Sequence, residues 1–179
     1  MTNKIFFTQV WDCNKNYAGY ANEFMSLLPK DAYACFTDGD VMWLTNDYGN
    51  ILYRYIEKYP EATLTCRTNR IGCPYQKLNG INVNSHDIFY HKQIAQREKL
   101  KLYTITDISK ETFPWSGMLM LIKKSVWQTV GGFKGNGMLG IDNDFFKSLQ
   151  RHNKQILVME GLYVYHQYRM MDGSKKHLL

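Results

Sequence analysis

Residues 32–40 read AYACFTDGD, a largely apolar run followed by two carboxylates that lie two positions apart. Such a run is typical of a strand that is covered on both faces. Asp38 and Asp40 come at its carboxyl end, where open α/β sheets bind their ligands. In an extended segment both side chains leave the same side of the backbone, and Gly39 allows a ligand to approach closely. The stretch predicts a buried strand with a cation site at its end, or else an Asp-Gly turn between two elements.

Strands and helices alternate on either side of this run. Short apolar runs predict strands over 5–11 and 62–66, and apolar side chains at helical spacing predict helices over 17–28 and about 46–59. Because each strand is followed by a helix that leads to the next strand, the strands are expected to run in the same direction. The alternation predicts an α/β fold in which helices flank a mixed, mostly parallel sheet.

The rest of the chain continues this pattern as far as residue 166. The predicted elements are a helix near 86–98, a short strand near 101–105, a strand over 116–122, a helical turn over 125–130, a helix that starts near 142, and strands over 155–159 and 162–165. No repeat, low-complexity tract or linker divides the sequence. We therefore expect a single domain over residues 1–179, with a mobile basic tail beyond about residue 167.

The composition narrows the class of protein. The chain has 179 residues, of which 45% are hydrophobic and 15% aromatic, as in globular proteins. No stretch of apolar residues is long enough to span a bilayer, so no membrane span is expected. The N-terminus lacks the features of a signal peptide, which predicts a cytoplasmic protein. The four cysteines show no metal-binding spacing and are expected to be reduced.

The chain carries a formal net charge of +6. This surplus is explained either by a solvated basic surface or by attraction to an anionic ligand such as a nucleotide diphosphate. The cations are scattered along the sequence and form no long basic stripe. Nucleic acid is therefore not an expected partner.

His166 ends the last predicted strand. A single histidine in such a place is more often a structural residue than a ligand. Together with Asp38 and Asp40, however, it makes a set of two carboxylates and one imidazole. This set suits Mn²⁺ or Mg²⁺ better than zinc or copper, which draw on more nitrogen or sulfur.

Two further carboxylates fall in the first turn of the helix that starts near Asp142. Acidic groups there stabilise a helix N-terminus, and this structural role alone would explain the presence of Asp142 and Asp144. The functional alternative is that Asp142 is a general base, with the glycine-rich stretch over 135–140 closing over a substrate. Trp115 precedes the strand over 116–122, where it either packs in the core or faces a sugar ring.

In combination, these segments resemble family 2 glycosyltransferases of the GT-A fold. Residues 16–44, NYAGYANEFMSLLPKDAYACFTDGDVMWL, are similar to the helix, strand and DxD motif of that family. Residues 115–133, WSGMLMLIKKSVWQTVGGF, with the acidic helix start and the closing Tyr165-His166 strand, are similar to its acceptor-side block. The similarity covers about the first and last 60 residues and is weak in the middle, about 67–114.

The resemblance implies a single GT-A-like, Rossmann-like domain with a nucleotide-diphosphate sugar donor and Mn²⁺ or Mg²⁺. It implies that Asp38 reaches the ribose or the metal, that Asp40 and His166 bind the metal, and that Asp142 is the catalytic base. The acceptor side would include Trp115, Gly117 and Asp144, and the nucleotide pocket Thr8, Gln9 and Trp11 at the end of the first strand. Ile141 departs from the family, which usually has Glu at that position.

Three functions follow as hypotheses. The first is an inverting, metal-dependent glycosyltransferase of the hexosyltransferase kind. The second is a retaining glycosyltransferase or a nucleotidyltransferase that uses the same acids and metal. The third is a non-catalytic nucleotide-sugar-binding protein. A UDP-sugar is favoured by the resemblance alone, and the acceptor is left open between a glycan, a lipid-linked glycan and a protein.

Overall fold

The computed structural model of the chain describes residues 4–10, 13–137 and 139–168. The elements in chain order are β1 (Ile5–Gln9), α1 (Tyr17–Leu27), β2 (Tyr33–Thr37), β3 (Val41–Trp43), α2 (Tyr48–Lys58), β4 (Thr63–Thr68), α3 (Ile88–Lys99), β5 (Ile105–Asp107), β6 (Leu119–Lys123), α4 (Lys124–Thr129), α5 (Ile141–Arg151) and β7 (Ile156–His166). The predicted α/β class is confirmed. The predicted mobile tail falls on residues 169–179, outside this part of the chain.

Most of the predicted elements are present, with three differences. The strand over 32–37 is β2, and all five of its residues are buried. β3 was not predicted, because three residues are too few to show alternation. The short strand expected near 101–105 lies slightly later, as β5. The two strands expected over 155–159 and 162–165 are one continuous strand, β7.

The strands form one mixed, curled sheet in the order β1-β2-β6-β4-β7-β3, with β5 also paired to β7. The prediction of a mostly parallel sheet is wrong. Parallel pairing joins β1 to β2 and β4 to β7, whereas the other four pairings are antiparallel. The reason is the entry point of β6. Leu119 pairs with Thr37 and the N–H of Asp38 donates to the carbonyl of Met118 (2.9 Å), so the chain enters β6 at the carboxyl edge of β2 and must run back.

Two helical layers cover the two faces of this sheet. The side chains of β2 alternate, so that Ala34 and Phe36 join the core under α1, α4 and α5, whereas Tyr33 and Cys35 join the core under α2. A third, smaller cluster lies between α3 and the end of β7. Burial on both faces explains why β2 shows no polar alternation in the sequence.

α1 is tied to α4 and to the segment that follows it. Asn22 accepts hydrogen bonds from the indole N–H of Trp127 (2.9 Å) and from the N–H of Phe133 (2.9 Å), and it donates to the Phe133 carbonyl (2.9 Å). Gly132 has a φ of +72°, and a Cβ there would lie 2.8 Å from the Asn22 oxygen, which explains a glycine at this position. Two segments of the family resemblance are therefore in direct contact.

β7 contains a bulge that decides where its far end lies. Cys66 pairs with Met159 but Arg67 pairs with Tyr163, so three extra residues of β7 lie between these pairs. The first half of β7 pairs with β5 and the second half with β3. A Cβ on Gly161 in the bulge would lie 2.7 Å from the backbone of Leu102, so glycine is required by this close approach.

An ion pair holds the bulge to β4 and β5. Arg67 Nε and Nη2 donate to the two carboxylate oxygens of Glu160 (2.9 and 2.5 Å), and the Thr106 hydroxyl donates to the same carboxylate (2.5 Å). Burial opposes the charged form of Glu160. The hydrogen bonds from Arg67 and Thr106, with the charge of Arg67, outweigh burial and lower the pKa of Glu160.

Glu160→Gln should therefore destabilise the protein at neutral pH and flatten its response to acid. A lowered pKa in the folded state contributes stability above the unfolded value of about 4.3 and loses it as the pH falls towards the folded pKa. We expect a loss of roughly 3 kcal/mol at pH 7, because Arg67 loses its charged partner. Urea unfolding between pH 3 and 7 measures both effects. Glu57→Gln on the exposed face of α2 is the matched control, and equal acid sensitivity of the two variants would contradict the assignment.

Within the ranges given above, no helix combines the length and the apolar character needed to cross a bilayer.

Candidate active site

The two aspartates of the DGD motif occupy the turn between β2 and β3. The N–H of Val41 donates to the carbonyl of Asp38 (3.3 Å), which closes the turn. β3 then pairs antiparallel with the end of β7, so that Val41 lies opposite His166. The N–H of Gln167 donates to the carbonyl of Asp40 (3.1 Å), which extends the contact by one residue. The short strand β3 therefore brings the front of the chain to its last strand.

Asp38, Asp40 and His166 meet at this junction. His166 Nε2 lies 3.2 Å from Asp40 Oδ1 and 3.8 Å from Asp38 Oδ2. One ligand atom from each of the three residues lies within 4.8 Å of the other two, which is close enough for all three to bind one ion. The imidazole is buried and both carboxylates are partly exposed, so the site opens to solvent on the carboxylate side. The predicted set of metal ligands is thus brought together.

The orientation of His166 is determined by the loop that follows β4. His166 Nδ1 lies 2.8 Å from the carbonyl oxygen of Arg70, and the backbone N–H of His166 donates to Asn69 Oδ1 (2.8 Å). A carbonyl only accepts hydrogen bonds, so Nδ1 must carry a proton. In the neutral ring Nε2 then presents a lone pair to two carboxylates. That arrangement is favourable only if Nε2 is protonated or if a cation lies between the ring and the acids.

The pKa values of the two aspartates shift in opposite directions. Burial raises the pKa of Asp38; His166 opposes this rise, and the negative charges of Asp40 and Asp142 add to it. The hydrogen bond with His166 holds the pKa of Asp40 below its usual range, although partial burial acts in the other direction. A divalent cation would stabilise the charged form of both groups. The donor set, two carboxylates and one imidazole whose second nitrogen is already bonded, fits Mn²⁺ or Mg²⁺.

We predict that the protein binds Mn²⁺ through these three side chains. Loss of an outer partner of a metal ligand costs about 10–100-fold in affinity, and His166→Gln or Asp40→Asn removes a ligand itself, so we expect a loss of roughly 100-fold or more. The electron paramagnetic resonance signal of free Mn²⁺ measures the affinity. Asp31→Asn, an exposed aspartate in the turn before β2, serves as the control. Unchanged Mn²⁺ affinity in both ligand variants would rule out this site.

A cavity of about 510 Å³ extends from Asp38. Its lining residues come from six parts of the fold, namely the start of α1, the turn after β2, the loop after β4, the segment before β6, the start of α5 and the segment after β7. They are Tyr17, Asp38, Gly72, Cys73, Phe113, Pro114, Trp115, Ser116, Gly117, Leu139, Gly140, Ile141, Asp142, Asn143 and Tyr168. A volume of this size is within the usual range for a small-molecule site. The predicted cation ligand Asp38 and the predicted base Asp142 therefore border the same cavity.

Asp142 is held in a defined orientation at the start of α5. Its Oδ2 accepts a hydrogen bond from the N–H of Gly117 (2.8 Å), and its Oδ1 accepts one from the N–H of Asn143 (3.0 Å). Its backbone carbonyl accepts from the indole N–H of Trp115 (3.1 Å). Gly140 starts the helix with a φ of +82°. Each carboxylate oxygen keeps a lone pair for a further contact, as a proton acceptor requires.

Gly117 controls the position of this carboxylate. A Cβ added at Gly117 would lie 3.0 Å from Asp142 Cβ, so Gly117→Ala must displace Asp142 or the backbone beside it. Gly72 lines the same cavity, and a Cβ there meets no atom within 4 Å, so Gly72→Ala is the matched control. Because a misplacement of about 1 Å can cost up to 10²-fold in rate, we expect Gly117→Ala to slow any reaction in which Asp142 is the base by roughly tenfold or more, with Mn²⁺ binding unchanged. Equal rates for the two variants would contradict this role.

Of the other predicted site residues, some line the cavity and others do not. Trp115 borders it, but its ring is buried and packs towards Phe146. Asp144 is exposed and does not line the cavity. Thr8 and Gln9 lie one strand away from Asp38, where Gln9 pairs with Thr37, and the Thr8 hydroxyl contacts that of Tyr20 (3.0 Å). The predicted nucleotide-pocket residue Trp11 lies outside the described residues.

Several residues of the site were not predicted from the sequence. Asn69 and Arg70 orient His166, and they follow β4 at the sheet edge where Asp38 follows β2. The rule that placed the DGD motif at a strand end could have found them, had the strand predicted to end at residue 66 been extended to Thr68. Tyr17 and Phe113 line the cavity, and nothing in their local sequence pattern indicated this.

Comparisons of the chain with protein-family models, with curated proteins and with solved structures each found no match. The resemblance to family 2 glycosyltransferases is therefore a prediction from sequence motifs. The geometry around Asp38, Asp142 and His166 is what any functional proposal must explain.

Proposed function

We propose that the chain is a metal-dependent glycosyltransferase of GT-A-like fold that moves a sugar from a nucleoside-diphosphate donor to an acceptor hydroxyl with inversion. The proposal rests on one observation, namely that Asp38 and Asp142 line the same cavity. Asp38, one member of the candidate cation-binding set, lines the same cavity as Asp142, a carboxylate oriented by two backbone N–H groups. A metal-dependent inverting transfer uses both groups, the cation for the leaving diphosphate and the carboxylate for the attacking hydroxyl.

Asp38, Asp40 and His166 would hold the cation. When bound, Mn²⁺ or Mg²⁺ supplies a Lewis acid that stabilises the negative charge of the leaving diphosphate. Among the residues that the structure describes, the cavity lining has two carboxylates and no lysine, arginine or histidine. A pair of like charges 4 Å apart costs about 4 kcal/mol at an effective dielectric constant of 20. The carboxylates would therefore repel an anionic donor in the absence of the cation, and donor binding should depend on metal.

Asp142 would accept the proton of the acceptor hydroxyl. The hydrogen bonds from Gly117 and Asn143 hold the carboxylate in the cavity wall, so its remaining lone pairs would be available to a substrate without a reorientation step. A base positioned in this way contributes roughly 10²–10⁴-fold to a rate. The acceptor oxygen would form a bond to the anomeric carbon as its proton passes to Asp142 and the bond from that carbon to the diphosphate breaks. Attack on the face opposite the leaving diphosphate would give inversion.

Asp142→Asn tests this assignment. The amide keeps the shape of the side chain but cannot take up a proton, so we expect a 10²–10⁴-fold loss of transfer. Stabilisation by nucleoside diphosphates with Mn²⁺, measured as a thermal shift, should be retained because a ligand that binds the native state stabilises it by mass action. Normal transfer by the variant would refute the role of Asp142 as base.

The same assay separates the alternative functions. A product that keeps the anomeric configuration of the donor would indicate a retaining glycosyltransferase. Release of pyrophosphate in place of a nucleoside diphosphate would indicate a nucleotidyltransferase. Nucleotide-sugar binding with neither hydrolysis nor transfer, over a panel of acceptors, would indicate a non-catalytic binding protein.

A further inference from the structure

The cavity beside Asp142 has an apolar rim. Phe113 is 47% exposed and Leu139 is 88% exposed, and both line this cavity. They come from two separate loops, one before β6 and one before α5. Among the described residues eight large apolar side chains are exposed, and two of these, Phe113 and Leu139, lie together at this cavity.

Aromatic rings form a further part of this lining. Tyr17 and Tyr168 are partly buried and border the cavity together with Phe113. Burial and the charges of Asp38 and Asp142 raise the pKa of Tyr17, so its phenol stays protonated and can donate a hydrogen bond. A lining of aromatic rings and hydroxyl groups suits a ligand that has both apolar C–H faces and hydroxyl groups.

The charge of the cavity lining also limits the charge that an acceptor can carry. Within the described part of the chain, Asp38 and Asp142 are the charged residues of the lining. In the proposed reaction the positive charge of the cation would be neutralised by the diphosphate of the donor. A carboxylate or phosphate on the acceptor would then lie near Asp142 without compensation, at a cost of about 4 kcal/mol for a pair at 4 Å and an effective dielectric constant of 20.

We propose that the acceptor is a neutral glycan whose sugar ring packs against Phe113 while one hydroxyl reaches Asp142. This inference rests on the proposed function, since it assigns the acceptor of that same site. Trp115 was predicted to face a sugar ring, but its ring is buried, and its indole N–H is bonded to the Asp142 carbonyl. Phe113, two residues earlier in the chain, is the exposed aromatic residue that can contact the sugar instead.

An array of neutral and acidic glycans, probed with the labelled full chain in the presence of Mn²⁺ and UDP, tests the proposal. Binding to neutral glycans is expected, and acidic glycans should bind more weakly than their neutral counterparts. Phe113→Ala should weaken the binding of neutral glycans by roughly 2–12-fold, the range that corresponds to one aromatic contact. Phe89→Ala is the matched control, because Phe89 on α3 is 78% exposed and does not line the cavity.

Thermal shifts with Mn²⁺ and UDP, GDP or ADP distinguish failure of this inference from failure of the proposed function. Stabilisation by one of these nucleotides without neutral-glycan binding, a preference for acidic glycans, or equal binding by the Phe113 and Phe89 variants would overturn the acceptor assignment alone. Neutral-glycan binding without any nucleotide stabilisation would support the glycan site and count against the transferase. Transfer to a protein or to a lipid-linked acceptor, with none to the neutral glycans, would overturn the assignment as well.

Discussion

The hydrogen bond from His166 Nδ1 to the carbonyl of Arg70 is the interaction on which the candidate site depends. It places the proton on Nδ1 and leaves Nε2 facing Asp38 and Asp40. A histidine that only packed at a strand end could adopt either tautomer. Here the carbonyl of Arg70 in the loop after β4 determines the tautomer, and burial of the ring prevents it from rotating away. The result is a nitrogen that needs either a proton or a cation as its partner.

The sheet topology extends this local constraint to the whole site. β7 pairs with β4 on one side and, at its carboxyl end, with β3 on the other side. The bulge around Gly161 shifts the register of β7, and this shift determines the position of His166 along the strand relative to Asp40. β6 enters the sheet at the same edge, which brings Gly117 and Asp142 next to Asp38. The cation set and the proposed base are therefore neighbours because two late strands return to the edge where β2 ends.

Part of this arrangement could be predicted from the sequence. β2 could be predicted from its uninterrupted apolar run, because a strand that is buried on both faces contains few polar residues. The two acids that follow it marked its carboxyl end. The mostly parallel sheet was a wrong prediction, since local alternation of strands and helices contains no information on the direction in which β6 is inserted. The single strand β7 was divided in two because its bulge interrupts the apolar pattern at Glu160 and Gly161.

The sequence by itself determined the α/β class, most helices and strands, and the identity of the residues that could bind a cation or accept a proton. These follow from periodicity, capping and side-chain chemistry, which are local properties of the chain. The grouping of His166 with Asp38 and Asp40 was expected from the sequence, and the structure brings the three together. The tertiary structure alone decided that Asn69 and Arg70 orient His166 and that Phe113 rather than Trp115 is exposed at the cavity. Those contacts join residues far apart in the chain, and strand pairing and burial determine them, which no single stretch of sequence encodes.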